Sequence, residues 1–189
     1  MKKVIILHGT MGSPAGNWFG WLQVELKAKG LQVWLPELPN PEQPSLKQWA
    51  EFVATNCPFD LDQETLIVGH SSGAILALVL TQKSAVELGG IVCVSVFHDN
   101  SLNWDANSKL FDVEFDYQAI KKHAKTRLVI HSDDDPYVPV EQAKFVAQQI
   151  DAEFLLIPNQ GHFNLEKSAD YKQFPKLIEM LQDRRLIDG

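Results

Sequence analysis

Residues 65–80, TLIVGHSSGAILALVL, pass from a short apolar run through Gly69-His70-Ser71-Ser72-Gly73 into a run of strong helix formers. A strand that hands over to a helix across so few residues is one unit of an alternating α/β chain, so the rest of the sequence can be searched for further units. Two readings of the serines compete. A serine often caps a helix by accepting from a free N–H of its first turn. A Gly-x-Ser-x-Gly turn between strand and helix instead lifts its central side chain above the sheet edge, where it can attack a carbonyl. In that register Ser71 is central. Ser72 follows with a backbone N–H aimed at a developing oxyanion, aided by the positive end of the helix.

Working outward, the runs KVIILH (3–8), QVWLP (32–36), GGIVCVSV (89–96), RLVIHS (127–132) and EFLLIP (153–158) join TLIVG (65–69) as candidate strands. They are continuously apolar rather than alternating, the pattern of parallel strands buried on both faces. Helical patterns lie between them. Trp18 to Lys29 keeps helical spacing and stops at Gly30, Ser45 precedes LKQWAEFVA as a cap, and residues 73–86 are strong helix formers. Pro139 opens VEQAKFVAQQI, and DYKQFPKLIEMLQ closes the chain as one helix. Strand, crossover helix and strand in repetition predict an α/β fold: a three-layer α/β/α sandwich on a mainly parallel sheet of about six strands. Residues 1–189 are expected to form one domain with no large cap domain.

The composition narrows the partners. A net charge of −7 with no large Lys/Arg cluster argues against nucleic acid and anionic membrane, and favours a small-molecule or short peptide-like substrate. No apolar run approaches the ~18 residues of a membrane span, and Val4 to Leu7 is too short for a signal-peptide core, so a cytoplasmic location is expected. Cys57 and Cys93 are expected to be reduced. No Cys/His spacing suits a metal and no glycine-rich phosphate loop follows a strand, so no cofactor is expected.

Ligands of doubly wound sheets bind beyond the carboxyl ends of the strands, so the residues ending each strand carry the functional reading. Strand one ends in His8-Gly9-Thr10, strand three in Gly69-His70-Ser71, strand five in Asp133-Asp134-Asp135, and strand six in Asn159 to His162. A serine needs a base to take its proton, and a histidine base needs an acid to fix its tautomer. Ser71, His162 and Asp135 supply all three, in the chain order of α/β-hydrolases. Asp135 is preferred because Asp-Pro-Tyr-Val matches the Asp-x-x-Val arrangement of hydrolase acid loops. Asp134 remains the rival, and the two other aspartates read as solvated loop charge. The loop HGTMGSPAG either presents Thr10, or alternatively Met11, as a second oxyanion donor beside Ser72, or is an ordinary turn. Met11, His98 and Trp104 are candidate pocket residues. Trp104, Phe111 and Phe115 either wall an acyl pocket or pack their loop down. His8, His70 and His131 read as incidental, and His123 reads as a residue on a helix surface.

With LHGTMGSPAGNWFGWL, LPELPNPEQPSLKQWA, VGHSSGA, HSDDDPYVP and NQGHFN in order, nearly the whole chain resembles the retinoblastoma-binding-protein-9-like small serine hydrolases of the α/β-hydrolase superfamily. The Trp18/Trp21 helix and the Leu35–Pro41 loop are its most distinctive parts. The resemblance implies a Ser-His-Asp hydrolase whose triad falls on Ser71, His162 and Asp135; carboxylesterase-like activity is expected, with amidase or peptidase action as a variant. The alternative is a catalytically idle scaffold serving protein interaction. A Leu-x-Cys-x-Glu motif is absent around Cys57 and Cys93, so a retinoblastoma-type partner is not expected.

Overall fold

The computed structural model describes residues 1–99 and 110–188. Six strands, β1 (Lys3–Leu7), β2 (Gln32–Trp34), β3 (Thr65–His70), β4 (Leu88–Val94), β5 (Ala124–Ser132) and β6 (Glu153–Ile157), form one sheet in the order β2-β1-β3-β4-β5-β6. Every pairing is parallel. Six α-helices cover it: α1 (Phe19–Ala28), α2 (Leu46–Asn56), α3 (Ser72–Lys83), α4 (Tyr117–His123), α5 (Val140–Gln149) and α6 (Pro175–Asp183). The period-two geometry of the strands divides the core between the two faces. Val4, Ile6, Val68, Val92 and Leu128 pack with the cluster containing residues of α1 and α6, whereas Ile5, Leu7, Ile67, Cys93 and Val129 pack with residues of α2 to α5. Cys57 and Cys93 are free thiols. Among the described residues no helix is long and apolar enough to cross a membrane.

The opening stretch becomes the centre of the molecule. β3 is buried along its whole length, and α3 is buried continuously from Ser72 to Thr81 between the sheet, α2 and α4. That explains why its sequence is apolar all round instead of striped.

Three elements depart from the sequence reading. β6, read as buried on both faces, is an edge strand: Leu156 is 46% exposed, because no strand pairs beyond β6. α4 was foreseen only as the helix bearing His123, without bounds, since seven residues carry too little periodicity to stand out. It is started by the Asp116 side chain, which accepts from Ala119 N–H, and it runs directly into β5, which begins three residues earlier than the apolar run. The closing helix is interrupted at Phe174-Pro175, giving a 3₁₀ turn at Ala169–Lys172 and then α6. Proline disfavours a helical residue before it and fits the first turn of a new helix, so it divides the segment.

The register aligns the carboxyl ends: Leu7 lies beside Gly69, Gly69 beside Cys93, His70 beside Val94, and Val94 beside Ile130. The loops after β1, β3, β5 and β6 therefore emerge along one edge.

Candidate active site

Ser71 sits between β3 and α3 with φ 57° and ψ −126°, in the N-cap position of α3, yet its side chain makes no capping hydrogen bond. A non-glycine residue held there costs about 1–3 kcal/mol, so the surroundings must impose the conformation. They do so by contact. A Cβ on Gly69 would lie 2.3 Å from the Gly73 carbonyl oxygen, and one on Gly73 would lie 2.4 Å from the carbonyl oxygens of both Leu7 and His8. Strand, turn and helix thus meet backbone to backbone, and Ser71 N–H donates to Val94 O at 2.8 Å. The helix-capping alternative fails on its own requirement, because the serine side chain caps nothing.

On the neighbouring loops, Asp135 and His162 meet directly. Asp135 Oδ2 accepts from His162 Nδ1 at 2.8 Å, and Oδ1 accepts from Tyr137 N–H at 2.9 Å and Val138 N–H at 3.0 Å. Burial of the Asp135 carboxyl opposes ionisation, but the His162 bond and the two backbone donors outweigh it and hold its pKa below the ordinary carboxylate range. An ionised carboxylate only accepts, so His162 carries its proton on Nδ1 and keeps Nε2 free as a base.

The other two aspartates are not idle charge. Asp134 Oδ1 accepts from Gly161 N–H at 2.6 Å and from Ser132 Oγ at 2.7 Å, and Oδ2 pairs with Lys167 at 2.5 Å. The Lys167 bond, seconded by Ser132 and Gly161, holds the Asp134 carboxyl well below its usual range. Asp133 Oδ1 accepts from Asn159 N–H at 2.8 Å, and Tyr137 Oη donates to Glu166. The acid loop and the histidine loop are laced together by all three aspartates. A cavity of about 300 Å³ opens between them, lined by Tyr137, Asn164, Glu166 and His162 among others.

Histidines read from the sequence as incidental support the site. His70 is buried, its Nε2 donates to His162 O at 2.7 Å, and the two rings lie 4.8 Å apart. Burial, then the neighbouring His162, push the His70 pKa down to about 3, so it stays neutral. His131 Nε2 donates to Val138 O at 2.9 Å and holds the acid loop. His8 Nδ1 donates to Gly9 O at 3.0 Å while Nε2 accepts from Leu38 N–H at 3.0 Å, joining the first loop to the Leu35–Pro41 loop. Burial lowers the pKa of both His8 and His131. His123 ends α4 half-buried, not on an open surface. Trp18 Nε1 donates to Phe163 O at 3.0 Å. The one available signal in the sequence was position: His8, His70 and His131 all stand at or just past the carboxyl end of a strand.

Among the described residues no hydrogen bond joins Ser71 Oγ to His162; His70, next to Ser71 in the chain, links the two loops. Substrate-free geometry is often looser than the reacting complex. Thr10 N–H donates to Ser72 Oγ at 2.6 Å, and Met11 N–H donates to Pro41 O at 2.8 Å. The Met11 side chain is 77% exposed on the same turn. His98 leans on Phe145 of α5 with ring centres 4.1 Å apart, and its Nδ1 lies 3.4 Å from Asp99 Oδ2. Phe111 and Phe115 pack edge to face 6.3 Å apart and Phe115 stacks on Tyr117, both against the core, as the packing alternative requires. Trp104 lies outside the described residues.

Known proteins resemble this chain in sequence and in fold. A model described as serine hydrolase matches residues 4–183. The protein YdeN of Bacillus subtilis (strain 168) is 37% identical over 164 residues, covering 86% of each chain. The serine hydrolase RBBP9 of Rattus norvegicus is 28% identical over 183 residues, covering 95% of each. The crystal structure of the B. subtilis ydeN product superposes with a TM-score of 0.88 at 33% identity over 97% of this chain and 98% of that one. Est1E of Butyrivibrio proteoclasticus with ferulic acid bound shares the fold, with a TM-score of 0.74 at 16% identity over 98% of this chain and 88% of its own.

Proposed function

The chain belongs to the serine hydrolase family, and from that premise we propose that it cleaves a small ester, thioester or amide through an acyl-enzyme, with Ser71 as nucleophile, His162 as base and Asp135 as the acid that orients it. The observation that carries this reading is the 2.8 Å Asp135–His162 bond on the same sheet edge as the strained Ser71 turn. His162 Nε2 takes the Ser71 proton as Oγ bonds to the carbonyl carbon, and the π pair moves onto oxygen. The Ser72 N–H, at the first position of α3, and a donor from the Thr10 turn stabilise that oxyanion. His162 then returns the proton to the leaving group, and water attacks the acyl-enzyme with His162 again as base. Asp135 stays ionised throughout, as its lowered pKa favours. The open cavity beside His162 suits a small or exposed leaving group, with carboxylesterase-like turnover expected to exceed amide cleavage.

Labelling with a fluorophosphonate probe tests the reading. The wild type is expected to be labelled and Ser71→Ala is not. An unlabelled wild type would reject the hydrolase mechanism and leave the idle-scaffold alternative standing.

A further inference from the structure

We infer that the donor supplied by the Thr10 turn is the Thr10 side-chain hydroxyl, not a backbone N–H, and that Ser72 Oγ sets it in place. The inference rests on the proposed acyl-transfer reading and names the group that completes its oxyanion site.

The argument is one of counting protons. Ser72 is completely buried, and among the described residues its Oγ has two partners, Thr10 N at 2.6 Å and Thr10 Oγ1 at 2.8 Å. The Thr10 N–H can only donate, so it occupies one acceptor site on Ser72 Oγ. The Ser72 hydroxyl proton then needs an acceptor of its own, because a buried O–H left unmade costs about 1–3 kcal/mol. Thr10 Oγ1 is the acceptor within reach, so the chain runs from Thr10 N–H to Ser72 Oγ and from Ser72 O–H to Thr10 Oγ1. With the reverse polarity, the Ser72 proton would have no partner in a dry site. The Thr10 hydroxyl proton is therefore left over, on an exposed residue.

Its location is the right one. Gly9, the preceding residue, is pressed against the turn so closely that a Cβ there would lie 3.0 Å from Ser71 Cβ and 3.2 Å from Ser72 Oγ. The two loop amides first expected to serve are committed, Thr10 N–H to Ser72 and Met11 N–H to Pro41. Successive hydrogen bonds polarise one another, so the terminal Thr10 O–H is a better donor than an isolated alcohol. When Ser71 Oγ bonds to a carbonyl carbon, this proton can bond to the new oxyanion together with the Ser72 N–H, with no rupture of the resting network.

Thr10→Val preserves shape and removes the hydroxyl, and Thr10→Ser restores it. On p-nitrophenyl acetate, Thr10→Val is expected to lose about 10²–10³-fold in kcat with KM within about threefold, and to lose a similar factor in affinity for an alkyl trifluoromethyl ketone that mimics the tetrahedral state. Thr10→Ser is expected to stay within about tenfold of wild type. Ser72→Ala, which frees the Thr10 amide and unseats the hydroxyl, is expected to fall between them. Thr10→Val with wild-type kcat, Thr10→Ser as impaired as Thr10→Val, or Ser72→Ala faster than wild type would each overturn the inference. A wild type inert to the ester and to the fluorophosphonate sinks the hydrolase reading itself, a different result from an active wild type indifferent to Thr10.

Discussion

The loops bearing Asp135 and His162 are tied to one another by hydrogen bonds and an ion pair, whereas the turn bearing Ser71 is fixed by backbone contact and a left-handed conformation. In the first region each aspartate has an identifiable partner across the gap. In the second, position is enforced by the absence of side chains at Gly69 and Gly73, and among the described residues the Ser71 Oγ is left uncommitted. On the proposed mechanism, the contrast matches two tasks. A base has to keep one tautomer and one orientation, which directional bonds supply, while a nucleophile has to stay free to form a new bond, which steric confinement permits.

The sharpest way to break the comparison is within the aspartate run. Asp135→Asn reverses the bond that sets the His162 tautomer and is expected to lower kcat by about 10⁴-fold. Asp134→Asn keeps the shape and only weakens a loop tie whose Lys167 partner is 38% exposed, and its kcat is expected to stay within about tenfold. Equal losses would show that the whole lacing, not one carboxylate, sets the base.

Gly73→Ala probes the other region. The added methyl meets two carbonyl oxygens of β1 and its loop at 2.4 Å, and backbone cannot give way as a flexible side chain does. Unfolding in urea is expected to show a loss of at least about 3 kcal/mol. A loss under 1 kcal/mol would mean that the turn is looser than its contacts require.

The smallest effect concerns His70, which bridges the two regions. Folded His70 stays neutral down to about pH 3, while the unfolded chain takes up a proton near 6.5, so the unfolded state binds more protons between those values. Its contribution to stability is complete above pH 6.5 and declines toward pH 3, by about 1.4 kcal/mol per pH unit. His70→Gln, which can still donate to His162 O, is expected to flatten the fall in stability between about pH 6 and pH 4 by up to that slope. Parallel wild-type and variant curves in urea titrations at each pH would contradict a neutral buried His70.

The strand-and-helix alternation, the parallel sheet and the positions of Ser71, Asp135 and His162 just beyond β3, β5 and β6 were legible because each rests on local pattern: apolar runs, caps, and a motif at the end of a strand. β6 misled because hydrophobicity does not say which strand lies at an edge. α4 was given no bounds because a single capped turn or two has little period to detect. The roles of Asp133, Asp134, His8 and His70 were out of reach for another reason, since they have partners on loops from other strands and sequence distance carries no trace of them.

By itself, then, the sequence determined which chemical groups stand at the carboxyl ends of the strands, because period and turn chemistry are written in neighbouring residues. Only the tertiary structure decided what those groups do to each other. It gave Asp135 to His162 and Asp134 to Gly161 and Lys167, and it committed the Thr10 amide to Ser72 Oγ while leaving Thr10 itself an exposed residue. A hydrogen bond has one proton to give, and where it goes is settled by which loops the sheet brings within three ångströms or so.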